Sequence, residues 1–139
     1  MIVLHEKIDV ARPTNEAFAY ISDFRTAQEW DATAFSASKL TPGKIALGTE
    51  FEVACELPVG SVTLLYTVTR LEHDRCIELH GRCALFEVSD VIQFEETATG
   101  THIDYRATFN FKGVLSAGEK VMQAGMKRMG RESLEGMRV

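Results

Sequence analysis

The sequence predicts an α+β domain in which a curved antiparallel sheet of about seven strands wraps around a long C-terminal helix, with two short helices after the first strand. Three observations lead there. Period-two alternation recurs through the middle of the chain, a helical stretch follows the first strand directly, and a proline-free C-terminal segment opens on a helix-capping signature.

From Ile2 to Val10, Ile2, Leu4, Ile8 and Val10 share one strand face, while His5, Lys7 and Asp9 share the other. Glu6 is the only polar residue on the apolar side. Pro13 introduces a helix over Thr14–Ser22, where Ala17, Phe18 and Ile21 recur at helical spacing, and Phe24–Trp30 reads as a second short helix. Ala32–Leu40 reads as a strand of small residues, and Pro42-Gly43 as a turn. Phe51, Val53, Cys55 and Leu57 alternate with Glu50, Glu52, Ala54 and Glu56. Strands follow at Ser61–Leu71 and Cys76–Cys83. Phe86, Val88, Ile92 and Phe94 then form an apolar face that Asp90 interrupts. Ile103, Tyr105, Ala107, Phe109 and Phe111 alternate with His102, Asp104, Arg106, Thr108 and Asn110. Such alternation gives a sheet with one dry and one wet face.

Ser116-Ala117-Gly118-Glu119 fits the capping box, and a helix is expected from about Ala117 to about Met137. Met122, Met126, Met129 and Met137 fall on one stripe, with Ser133 in the gap, and Lys120, Gln123, Lys127, Arg131 and Glu135 lie mainly opposite. The stripe is expected to pack on the sheet.

Ile8-Asp9-Val10-Ala11-Arg12-Pro13 is followed by Glu16-Ala17-Phe18-Ala19-Tyr20-Ile21-Ser22-Asp23 and by Glu29-Trp30-Asp31. Gly48-Thr49-Glu50-Phe51, Tyr66-Thr67-Val68-Thr69 and Gly100-Thr101 come later in the chain. In these segments and in the order of its elements the chain resembles the START-like superfamily, also called SRPBCC, which includes polyketide cyclase/dehydrase-like proteins and relatives of the birch-pollen allergen. The resemblance spans residues 1–139 as one domain and implies the helix-grip fold. The superfamily shares no catalytic signature, so the resemblance transfers a fold and no catalytic residue.

Composition narrows the function. The 139 residues are 45 % hydrophobic and 25 % charged, ordinary for one globular domain. A net charge of −5 disfavours nucleic acid, which needs a concentrated cationic surface. No run approaches the roughly 20 apolar residues of a membrane span. The early charges in Met-Ile-Val-Leu-His-Glu-Lys argue against a signal peptide, and the odd count of cysteines (Cys55, Cys76, Cys83) fits a cytoplasmic protein with reduced thiols.

The chemistry-bearing candidates are few. Asp90 and Glu6 each place a carboxylate on an apolar strand face, costly unless it is hydrogen-bonded, protonated or solvated. If Phe94 faces Ile103, Asp90 falls opposite Ala107, and a shift by two residues puts it opposite Tyr105. Asp90 is the candidate catalytic acid. The expected ligand wall comprises Glu6, Tyr66, Phe86, Val88, Asp90, Ile92, Tyr105, Ala107, Phe109, Met122, Gly125, Met126 and Met129. The histidines are scattered, His80 and Cys83 have opposite parity, and no metal is expected. No glycine-rich phosphate loop is present and no cofactor is expected.

The expected partner is therefore a small hydrophobic molecule, lipid- or polyketide-like, bound between sheet and helix. The alternatives are a cofactor-independent cyclase/dehydrase-like enzyme and a protein-binding module. A homodimer is compatible with the sequence.

Overall fold

The computed structural model describes residues 1–31, 33–57, 60–112, 131–132 and 136. Strand β1 (Ile2–Val10) leads into helix α1 (Thr14–Ser22). A 3₁₀ turn (Phe24–Thr26) and helix α2 (Ala27–Trp30) follow. Six strands come next: β2 (Ala34–Lys39), β3 (Glu50–Leu57), β4 (Gly60–Glu72), β5 (Cys76–Arg82), β6 (Phe86–Thr97) and β7 (Gly100–Phe111). They form one antiparallel sheet in the order β1-β7-β6-β5-β4-β3-β2.

The strand faces separate as the alternation requires. Ile2, Leu4, Phe51, Val53, Leu64, Val68, Leu79, Phe86, Val88, Ile92, Ile103 and Ala107 are all buried in one cluster. Fully burying each large apolar side chain contributes about 1.5–3 kcal/mol, which makes this face the main source of stability. α1 turns Ala17, Phe18 and Ile21 onto it, and Phe18 meets Phe94 edge to face at 5.2 Å. Trp30 is buried against Phe24, and its indole N–H donates to Thr26 Oγ1 at 3.0 Å.

The segments that carry the family resemblance lock onto one another in pairs. Thr101 Oγ1 donates to the Arg12 carbonyl at 2.8 Å and lies 3.1 Å from Thr14 Oγ1, which ties the Arg12-Pro13 corner to the start of β7. A side chain at Gly100 would lie 2.0 Å from the Val10 carbonyl oxygen, so only glycine permits this approach. On the other half of the sheet, the Gly48 N–H donates to the Val68 carbonyl, and the Val68 N–H donates to the Thr49 carbonyl. Gly48 has φ +86, which glycine adopts without strain.

The first-strand, helix and sheet expectations match these elements, with ends displaced by a few residues: β2 is shorter than Ala32–Leu40 and β4 slightly longer than Ser61–Leu71. The expected helix from about Ala117, with Met122, Gly125, Met126 and Met129, lies outside the described residues. Arg131, Glu132 and Gly136 are helical, and Gly136 sits so close to the Trp30 backbone that a Cβ would be 2.3 Å from its carbonyl oxygen.

Thr101→Val removes a fully buried hydroxyl while keeping its shape, and leaves the Arg12 carbonyl without that donor. It should destabilise the fold by about 1–3 kcal/mol in urea unfolding. An unchanged midpoint would mean that this corner does not depend on the hydrogen bond.

Candidate functional site

The β6–β7 hairpin fixes the site. Phe94 pairs with Ile103, so Asp90 stands opposite Ala107, while Leu79 of β5 flanks it on the other side. Tyr105 pairs with Ile92, two residues along from Ala107, and reaches diagonally to Asp90: its hydroxyl donates to Asp90 Oδ1 at 3.2 Å. Of the two registers weighed in the sequence, the structure has the one that puts Asp90 opposite Ala107, and the tyrosine bond expected of the other forms all the same. Ala107 gives the carboxyl a small neighbour, and the diagonal tyrosine reaches it without any slip of register.

Asp90 is only 2 % exposed. Burial, and secondarily the nearby Asp31 charge, push its carboxyl up to about 7, against the pull of the Tyr66 and Tyr105 hydroxyls, of which Tyr105 makes the direct hydrogen bond. Tyr66 belongs to β4, and two strand spacings separate it from Asp90. Burial first, and the Asp90 charge second, push both tyrosine hydroxyls well above their ordinary range, so both remain protonated donors at neutral pH.

Of the expected wall, Tyr66, Phe86, Val88, Asp90, Ile92, Tyr105, Ala107 and Phe109 come together as buried residues of the same sheet face. Phe86 packs at 5.6 Å from Phe109 and 5.1 Å from Phe111. Glu6 lies opposite Tyr105 in the β1–β7 register but is only half-buried, and Asp90 takes the tyrosine hydroxyl.

Two features of the site escaped the sequence reading. Asp31 ends α2 in extended conformation, and its Oδ1 accepts from the Thr33 N–H at 2.9 Å and from Thr33 Oγ1 at 2.8 Å. This Asx-type turn fixes a second carboxylate near Asp90. Its sequence signal is an Asp-x-Thr step after the helix. The other feature is Gly81, a glycine inside a strand that faces Tyr66 in register.

Cys55 shares this face, and burial first among several causes pushes its thiol up to about 12. A thiol that holds its proton this firmly is no nucleophile at neutral pH. Among the described residues no group of three or more His, Cys, Asp or Glu side chains is placed to hold a metal ion.

The polyketide cyclase/dehydrase and lipid transport family matches the chain over residues 1–139. The chain belongs to this family. Its fold is START-like, as comparison with solved structures shows. A protein from Thermus thermophilus (TTHA0849) superposes with a TM-score of 0.81 at 11 % identity, covering 98 % of this chain and 94 % of that one. A START superfamily protein from Mycobacterium smegmatis superposes with a TM-score of 0.69 at 14 % identity, covering 95 % and 97 %. A Deinococcus radiodurans protein (DR_A0006) gives 0.71 at 16 % identity, covering 98 % and 94 %. At these identities the likeness is one of fold. No curated protein sequence matches the chain significantly.

Two external grooves of this START-like domain lie away from Asp90 itself, although Phe94 in the first and Ile103 in the second belong to its sheet face. One of about 840 Å³ is lined largely by polar and charged residues, including Arg12, Asp74, Arg75, Glu95 and Glu96. The other, about 390 Å³, has Val10, Ala17, Ile21 and Ile103 in its wall, and Tyr20 hydrogen-bonded to Glu29 beside them. Neither is lined by a member of the Asp31, Tyr66, Asp90 and Tyr105 cluster.

Burial raises the Asp90 pKa from 3.8 to about 7, so between those values the folded chain holds a proton that the unfolded chain releases. Stability from this group is therefore full below about pH 3.8, falls as pH rises toward 7, and is flat above. The difference across the window is on the order of 4 kcal/mol. Asp90→Asn should remove that slope in urea unfolding measured from pH 4 to 8. Parallel curves for both proteins would contradict the raised pKa.

Proposed function

We propose that the chain binds a small hydrophobic molecule, lipid- or polyketide-like, against the inner sheet face, with Asp90 as its polar anchor between Tyr66 and Tyr105. The single observation behind this reading is a buried carboxyl, hydrogen-bonded by the Tyr105 hydroxyl, on a face otherwise built of Phe86, Val88, Ile92, Ala107 and Phe109. An apolar wall with a few convergent polar groups is the common form of a small-molecule site. Membership of a family described by cyclisation, dehydration and lipid transport supports the same reading. The C-terminal segment closes the cavity in this proposal, with Met122, Gly125, Met126 and Met129 as the facing wall. Methionine suits a ligand of imprecise shape, because its unbranched chain adapts to irregular gaps.

A carboxylic acid held neutral in an apolar site can donate a hydrogen bond to a ligand oxygen. The same property favours a second reading, a cofactor-independent cyclase/dehydrase-like enzyme. With its carboxyl pushed up to about 7, Asp90 can hold a proton near neutrality and transfer it to a leaving oxygen. The cytoplasm is the proposed location. No described helix is long and apolar enough to cross a membrane.

Titration with a neutral apolar fluorophore such as Nile red tests the anchor. Wild type should bind it with saturation, and Met126→Trp should weaken binding by filling the cavity. Asp90→Asn should fold and bind an oxygen-bearing apolar ligand with roughly tenfold lower affinity, the scale of one lost hydrogen bond to a buried group. Normal binding by Asp90→Asn with loss of a detected turnover would favour the enzyme reading. Absence of saturable binding to wild type would overturn the cavity proposal.

A further inference from the structure

Strand β5 runs between Tyr66 and Asp90, and adjacent strands lie about 4.8 Å apart, so the hydroxyl of Tyr66 must cross an intervening strand to act on the carboxyl. It crosses at Gly81. Tyr66 pairs with Gly81, Gly81 pairs with Val88, and Leu79 two residues before it pairs with Asp90. A Cβ at Gly81 would lie 2.6 Å from Tyr66 Cε1, 2.9 Å from Tyr66 Cδ1 and 2.9 Å from Val88 Cγ1. The Tyr66 ring therefore lies in the space that any other residue's side chain would fill. Phe24 stands edge-on to the ring at 5.1 Å and holds it from another side.

Gly81 is not there for backbone freedom. It sits inside a regular strand, and its φ is outside the left-handed region that favours glycine. Glycine within a strand lacks a side chain to pack and weakens the strand, so its place here calls for a reason of space.

We infer that Gly81 is a positioning residue of the anchor: its missing side chain lets Tyr66 lie across β5 and bring a second hydroxyl to Asp90, opposite the one from Tyr105. This deepens the reading of Asp90 as ligand anchor and rests on that reading for its functional meaning. With Gly81 any larger, Tyr66 must swing off the strand, and Asp90 keeps only Tyr105. Among the described residues, Asp31 after α2, Tyr66 from β4 and Tyr105 from β7 act on Asp90, and the Cys55 thiol of β3 is coupled to its charge.

The test follows the Asp90 carboxyl carbon by NMR titration of aspartate-labelled protein without ligand. The Tyr66 hydroxyl lowers the Asp90 pKa, so its removal from the site raises it. Gly81→Ala should therefore shift the titration upward, as Tyr66→Phe does, and the double variant should titrate like Tyr66→Phe alone. A merely structural glycine would lower the melting temperature and leave the titration in place. A wild-type titration in Gly81→Ala, or shifts that add in the double variant, would overturn the inference. Should Gly81→Ala fail to fold, Tyr66→Leu in the same chain should restore folding by vacating the space, and no rescue would overturn it. Nile red binding is read in parallel. Loss of saturable binding in wild type, with titrations moving as expected, would sink the ligand reading alone. Intact binding with an unmoved Gly81→Ala titration would sink only the positioning role.

Discussion

A carboxyl group buried on an apolar sheet face is the constraint around which this structure is arranged. Removing a carboxylate from water is costly unless it is protonated or hydrogen-bonded, and Asp90 has recourse to both. Its pKa moves to about 7, and Tyr66 and Tyr105 supply hydroxyls. Each neighbour contributes by its size. Ala107 is small beside the carboxyl, Tyr105 is long enough to reach it diagonally, and Gly81 leaves room for Tyr66 to cross a strand. A cluster that keeps a proton uncommitted near neutral pH suits holding, or acting on, an oxygen of an apolar molecule.

The rest of the fold makes those distances possible. Register decides which side chains meet, because a one-residue slip would turn Asp90 to the wet face. The β6–β7 hairpin pairs continuously from Phe86–Phe111 to Thr97–Gly100, which leaves Asp90 no freedom of register. The Arg12-Pro13 corner, bonded to Thr101, anchors the start of β7 and with it Tyr105. The Gly48-Thr49 turn, bonded to Val68, does the same for β4 and Tyr66. The family segments thus brace the fold, and the buried polar cluster sits between them on residues outside those segments, apart from Tyr66 and Asp31.

Much of this was legible in the sequence because period-two alternation and burial are the same fact seen twice. Asp90, Tyr105 and Ala107 could be placed on one face from parity alone, and β7 was the plainest strand for that reason. The diagonal bond was not legible, since alternation fixes a side chain's face and not its reach. Gly81 and Asp31 were missed on different grounds. Gly81 matters for what it lacks, which shows only when Tyr66 lies over it. Asp31 acts from a turn after α2, through its charge and across segments far apart in sequence. The outer surface was also less uniformly polar than alternation suggested, since Phe35 on edge strand β2, Leu40 just after it and Leu47 in the loop before β3 are exposed. Glu6 shows the reverse limit: correct parity on an edge strand gave only half burial.

The central claim is a matter of location, and the tyrosines report it. Three are present in the chain: Tyr66 and Tyr105 at the anchor, and Tyr20 in the external groove beside α1. Intermolecular NOEs between a bound apolar ligand and tyrosine ring protons, in protein labelled only at tyrosine, separate the two sites in one spectrum. The account predicts NOEs to Tyr66 and Tyr105 and none to Tyr20. NOEs to Tyr20 alone would place the ligand in the groove beside α1, away from Asp90, and contradict it.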